Sequence, residues 1–194
     1  MLRISKPRPP AGFTLVEVLI AVAILITIAV GVAQLIAVAT RAIRAAREHS
    51  SAVILAAAKM DQLRSLAWTY EPPAPGLRAV PRSDRATDVS HPNHAPTGAG
   101  LDVSPAGTLG ANMPPYVDYV DDAGRWVGHD ADPPANAVFI RRWAVWPLPA
   151  DPERTLVLQV LVTTVRDDRS RATEWTGRTG VEALLVSVRT RKAQ

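Results

Sequence analysis

The chain has 194 residues, no cysteine and a formal net charge of +4. That length suits one domain with room for one extra element, and the missing cysteines exclude a disulfide framework, a thiolate metal centre and a cysteine nucleophile. Arg3, Lys6 and Arg8 lie in an acid-free opening stretch, so the rest of the chain is nearly balanced and lacks the basic excess that nucleic-acid binding would need.

From residue 18 to residue 39 no side chain carries a formal charge, and only Thr27, Gly31 and Gln34 interrupt a run of Ala, Leu, Ile and Val. About 20 helical residues cross a bilayer core. The run is apolar on every face, where a soluble surface helix would keep a polar stripe. Arg3, Lys6 and Arg8 predict a cytoplasmic N-terminus with the remainder exported, although Arg41, Arg44 and Arg47 at the far end nearly balance that bias.

Three readings share this run. A secretory signal would end at a small-residue site such as Ala37-Val38-Ala39, but its apolar region is ordinarily about 7–15 residues. An uncleaved single-pass anchor is the second. The third comes from the residues in front: Gly12-Phe13-Thr14-Leu15-Val16-Glu17-Val18-Leu19-Ile20. This stretch resembles the prepilin signal of type IV pilins and type II secretion pseudopilins, over roughly residues 6–40. The resemblance implies cleavage by a prepilin peptidase between Gly12 and Phe13, methylation of the new Phe13 amine, and an assembly role for Glu17 opposite a neighbouring subunit's amine. Apart from the resemblance, a carboxylate entering a bilayer is unfavourable, by about 2.5–3.5 kcal/mol at mid-helix and less near the end.

Beyond the run, Ile43, Ala46, Ser50, Val53, Ala57, Met60 and Ala67 recur at helical spacing, with Arg64 in one slot. Arg41, Arg44, Glu48, Ser51, Lys59 and Gln62 gather on the other side. The spacing predicts one helix from about Phe13 to Trp68, about 84 Å long, with its second half packed under a head through the first set. From residue 72 to 136, 11 of the 17 prolines and 7 of the 11 glycines accumulate. Proline removes a ladder donor, so this region reads as a long surface excursion. One hairpin is expected inside it, 116–120 with 125–128 around Asp121-Asp122-Ala123-Gly124. Strands follow over 138–146, 156–163 and 181–191. On the second, Leu156, Leu158, Val160 and Val162 alternate with Val157, Gln159, Leu161 and Thr163, as in a half-buried strand, and Leu184, Val186 and Val188 are expected inward on the third. Arg166-Asp167-Asp168-Arg169-Ser170-Arg171 is expected as a solvated turn.

The fold class is therefore α+β: a long transmembrane-plus-amphipathic N-terminal helix on a small antiparallel sheet, pilin-like, with a Pro/Gly-rich insertion. The segments are a leader over 1–12, a transmembrane half-helix over 13–39, an amphipathic half over 40–70, the loop region over 71–136 and the sheet over 137–194.

Chemistry is sparse. His91 and His94 lack a third ligand at metal-site spacing, and Asp118, Asp121 and Asp122, or Asp130 and Asp132, have turn roles as well as a calcium reading. Arg141 and Arg142 beside Trp143 and Trp146 read as a strand with one snorkelling and one packed face, ahead of nucleic-acid contact. Trp68, Trp126 and Trp175 read as head core or interface. No nucleophile elbow or phosphate loop is present. The expectation is no enzyme, no cofactor and no metal site. A minor pilin or minor pseudopilin is expected, held by lipid in the inner membrane as a single pass with a periplasmic head. Its expected partners are other pilin or pseudopilin subunits, the prepilin peptidase and the inner-membrane assembly platform, with no nucleic acid. Alternatives are an anchored protein with an exported binding or enzymatic head, or a protein secreted after Ala39.

Overall fold

The computed structural model describes residues 12–71, 79–93, 96–173 and 182–191; the leader positions Arg3, Lys6 and Arg8, together with His94 and Trp175, lie outside them. The chain divides into two compact units, Met1–Ala45 and Ala46–Gln194. One helix, α1 (Leu15–Ser65), contributes to both.

In the first unit every described residue is exposed. The helix carries bulky apolar side chains on all sides, with Leu25 at 66% and Leu35 at 69% exposure. It is long and apolar enough to cross a membrane. The hydroxyls within it are satisfied by their own helix: Thr27 Oγ1 donates to the Ala23 carbonyl at 2.9 Å and Thr40 Oγ1 to the Ile36 carbonyl at 2.8 Å. This i to i−4 back-bonding lets a polar side chain sit in apolar surroundings with its donor paired.

The second unit is an α+β head. The end of α1 packs on a five-stranded antiparallel sheet of order β4-β3-β5-β6-β7. Its strands are β3 (Val117–Val120), β4 (Trp126–Gly128), β5 (Phe139–Pro147), β6 (Thr155–Thr164) and β7 (Glu182–Thr190). The hairpin of β3 and β4 is the expected one, turning at Gly124 with φ of 75°. Strands β5 and β6 pair from Phe139 with Thr164 to Pro147 with Leu156 without a register shift. Of the two alternating sets on β6, the one holding Leu158, Val160 and Val162 points inward and joins Trp143 and Val145 in the core.

Four expectations need correction. First, the helix face against the sheet is Ala52, Ala56, Lys59, Met60 and Leu63, while Val53 and Ala57 stay exposed. An alanine-rich helix is apolar on more than one side, so its period does not fix its phase. The buried side is the one that carries Lys59 to its partners, the Asp118 carboxylate and the Val89 carbonyl. Second, β7 faces the other way: Leu184, Val186 and Val188 are 52%, 56% and 61% exposed, while Ala183 is buried. Arg189 explains the choice. Its guanidinium donates to the Leu63 carbonyl at 3.2 Å and to that of Leu66 at 2.5 Å, satisfying acceptors that the helix end leaves unpaired. With a period of two, an inward Arg189 sends the even-numbered residues out. Leu184→Ser should therefore change head stability by less than about 0.5 kcal/mol, while Val160→Ala loses about 2 kcal/mol; denaturant unfolding of the two variants checks the face.

Third, the Pro-rich region is no mere surface excursion. A second hairpin, β1 (Trp68–Glu71) with β2 (Val80–Ser83), opens it, and Val89, Leu101, Ser104, Thr108 and Tyr116 are buried. Gly98 lies so close to the Asp88 backbone that a Cβ there would sit 2.1 Å from Asp88 Cα. Fourth, the charged run after β6 is a helix, α2 (Val165–Thr173). Thr164 caps it: its Oγ1 accepts the Asp167 N–H at 3.1 Å and donates to Asp167 Oδ2 at 2.7 Å.

Candidate functional site

The three residues singled out at the N-terminus lie in one short segment of the first unit. Gly12, Phe13 and Thr14 are non-helical and α1 starts at Leu15. Thr14 is the N-cap. Its Oγ1 accepts the Glu17 N–H at 3.3 Å, and its own N–H donates to Glu17 Oε2 at 3.4 Å. Thr14-Leu15-Val16-Glu17 is thus a reciprocal capping box, a local role for Glu17 that the sequence pattern carried openly. The carboxylate also sits in the first turn, at the positive end of the helix dipole. Gly12 has nothing within 4 Å of where a Cβ would be, and Phe13 is 84% exposed. Among the described residues nothing crowds the Gly12–Phe13 peptide, which lies upstream of the first helical turn.

The head holds a buried charge cluster that the sequence reading missed. Lys59, assigned there to the solvent side of α1, has its Nζ 2.6 Å from Asp118 Oδ2 and 2.5 Å from the Val89 carbonyl oxygen. Arg141 grips the same carboxylate from β5, Nε to Oδ1 at 2.6 Å and Nη2 to Oδ2 at 2.9 Å. The Lys59 ammonium lies 4.5 Å from the centre of the Trp143 ring. Burial lowers its pKa to about 8, against the pull of Asp118. A usable signal did exist: Asp118 and Arg141 are opposite charges in the middle of two apolar strands, a pattern that makes sense only if they pair.

Arg142 departs from the snorkelling expectation as well. It is 3% exposed and clasps Asp168 of α2 bidentately at 2.9 Å, with Asn112 as a further acceptor. Both strand arginines are spent inside the head, which removes the charge-plus-stacking surface considered for nucleic acid. Trp68 and Trp143 are core residues. Trp126 is half-buried and donates to the Ser90 carbonyl at 2.7 Å.

The acidic residues do not converge. Asp118 is held by its two cations, and Asp121 folds its own turn, accepting the Arg125 N–H at 2.8 Å, the Ala123 N–H at 3.0 Å and the Arg125 guanidinium at 2.9 Å. The Arg125 backbone bond leads in holding the Asp121 carboxyl below its usual range. Among the described residues no three His, Asp or Glu side chains are grouped as metal ligands. His91 packs edge-on against Trp126, with its Nδ1 accepting the Asn93 N–H at 3.1 Å.

Residues 8–33 match the family described as the prokaryotic N-terminal methylation motif. No curated protein and no solved structure matches the chain. The matched segment contains the capping box, the exposed Gly12–Phe13 bond and the start of the apolar helix. The motif implies processing by a prepilin peptidase and assembly with other pilin-type subunits, and with the long apolar helix it fits anchoring in an inner membrane.

Proposed function

We propose that this chain is a minor subunit of a type IV pilus or a type II secretion pseudopilus. The precursor sits in the inner membrane as a single pass, its leader over residues 1–12 in the cytoplasm and its head in the periplasm. Prepilin peptidase cuts between Gly12 and Phe13, and the Phe13 amine is methylated. The subunit then passes through the assembly platform into a fibre. The observation that carries this reading is the methylation motif over residues 8–33 lying on a helix whose bulky apolar side chains are exposed on every side. Such a surface calls for lipid first and for other apolar helices afterwards. The head supports a minor role: it lacks any cysteine for the loop disulfide found on many major pilins. Its work is assembly, not catalysis.

Mass spectrometry of the mature N-terminus, with and without the peptidase, tests this. The expected product is N-methyl-Phe13, formed only with the enzyme, and Gly12→Ala is expected to leave the precursor largely uncut in the membrane. An intact Met1 in the presence of active peptidase would make the protein an anchored head. A start at Thr40 would make it a secreted one.

A further inference from the structure

We infer that Thr14 is a positioning residue for processing, because it fixes the start of α1 at Leu15 and so keeps the Gly12–Phe13 bond out of the helix. This deepens the processing reading and rests on it. Hydrolysis of that bond adds water across it: the oxygen ends on the Gly12 carbonyl carbon and the Phe13 nitrogen takes a proton. A peptide in the first turn of a helix must unwind before an active site can bind it extended, whereas one upstream of the cap is already free.

The geometry shows what sets the boundary. Thr14 accepts the Glu17 N–H through its hydroxyl and gives its own N–H to the Glu17 carboxylate, while its carbonyl takes the Glu17 and Val18 amides at 3.1 and 3.2 Å. Helices begin best at Ser, Thr, Asp, Asn or Gly. From residue 11 to 16 the sequence reads Ala-Gly-Phe-Thr-Leu-Val, so the only residues of that class are Gly12 and Thr14. Removing the Thr14 hydroxyl leaves Gly12 as the best available cap. The helix start then moves upstream, drawing Phe13 and the scissile bond into the first turn. The open space around Gly12 offers no steric bar to that shift.

The test uses full-length precursor in membrane vesicles with prepilin peptidase. Thr14→Ala is expected to be cut several-fold more slowly than wild type, about fivefold for a cap of ordinary strength, while Thr14→Ser, which keeps the hydroxyl, is cut within twofold of wild type. The backbone chemical shifts of Phe13 should turn helical in Thr14→Ala alone. Cleavage of Thr14→Ala at the wild-type rate would overturn the inference and leave the processing reading intact. So would a Thr14→Ser variant as slow as the alanine, since the hydroxyl would then not be the cause. A wild-type precursor that the peptidase leaves uncut would remove both readings together.

Discussion

Replacing Asp118 with alanine is expected to destabilise the head by about 3–5 kcal/mol, as breaking a buried ion pair from one side does. The carboxylate is the shared partner of two cations: Lys59 on α1 at 2.6 Å and Arg141 on β5 in a bidentate grip. All three side chains are nearly solvent-free, and their removal from water is compensated by one another and, for Lys59, by the Val89 carbonyl and the Trp143 ring. Without Asp118, two like charges face each other in the core. Lys59→Met should do far less harm, because Asp118 keeps Arg141 and the butyl stem of lysine is replaced by a side chain of similar length. Urea unfolding of the full chain in detergent, followed by tryptophan fluorescence, separates the two variants. The cluster also predicts a pH dependence. Burial lowers the Lys59 pKa from 10.5 to about 8, so between those values the unfolded chain holds a proton that the folded head has released. Stability therefore rises with pH from about 8 to 10.5 and is flat below, where both states are protonated. The wild-type midpoint should climb across that window relative to Lys59→Met. Equal slopes in the two proteins would mean that Lys59 does not titrate inside the head.

The distinction between legible and illegible features follows from how far apart the deciding residues lie. The apolar run, the β3–β4 hairpin and the alternation of β6 were readable because each is decided within a few neighbours. The N-terminal methylation motif was readable for the same reason: it is one contiguous stretch within residues 8–33, and even the capping box inside it is a four-residue pattern. The phase of α1 and the face of β7 were not. Both sides of each element carry apolar residues, and the choice is made by distant groups: by Asp118 and Val89, which meet Lys59, and by the helix-end carbonyls of Leu63 and Leu66, which take Arg189. The β1–β2 hairpin was hidden because its strands are four residues each and flank a proline-rich connection. For α1 and β7 a cation reaching distant oxygen acceptors settled the geometry that hydrophobic periodicity left open.

Within the proposed function, Glu17→Ala should separate processing from assembly. The variant keeps Gly12, Phe13 and the Thr14 hydroxyl, so it is expected to be cut and to remain in the membrane. Its incorporation into fibres is expected to fall at least tenfold. The physical reason is charge placed in apolar surroundings: once subunits pack by their helices, the Phe13 amine of one needs a carboxylate from another, and an unpartnered buried charge costs about 3–5 kcal/mol. Glu17 has two duties on this view, and they are separable in the same assays. Capping needs only an acceptor for the Thr14 N–H, which Gln supplies; meeting an amine needs the negative charge, which Gln lacks. Glu17→Gln should therefore assemble nearly as poorly as the alanine variant. Thr14→Ala should do the reverse, with slow cleavage but normal incorporation of whatever mature subunit forms. Quantifying cleaved and fibre-incorporated protein for the three variants decides the matter, and Glu17→Ala found in fibres at the wild-type level would remove the carboxylate from the assembly mechanism.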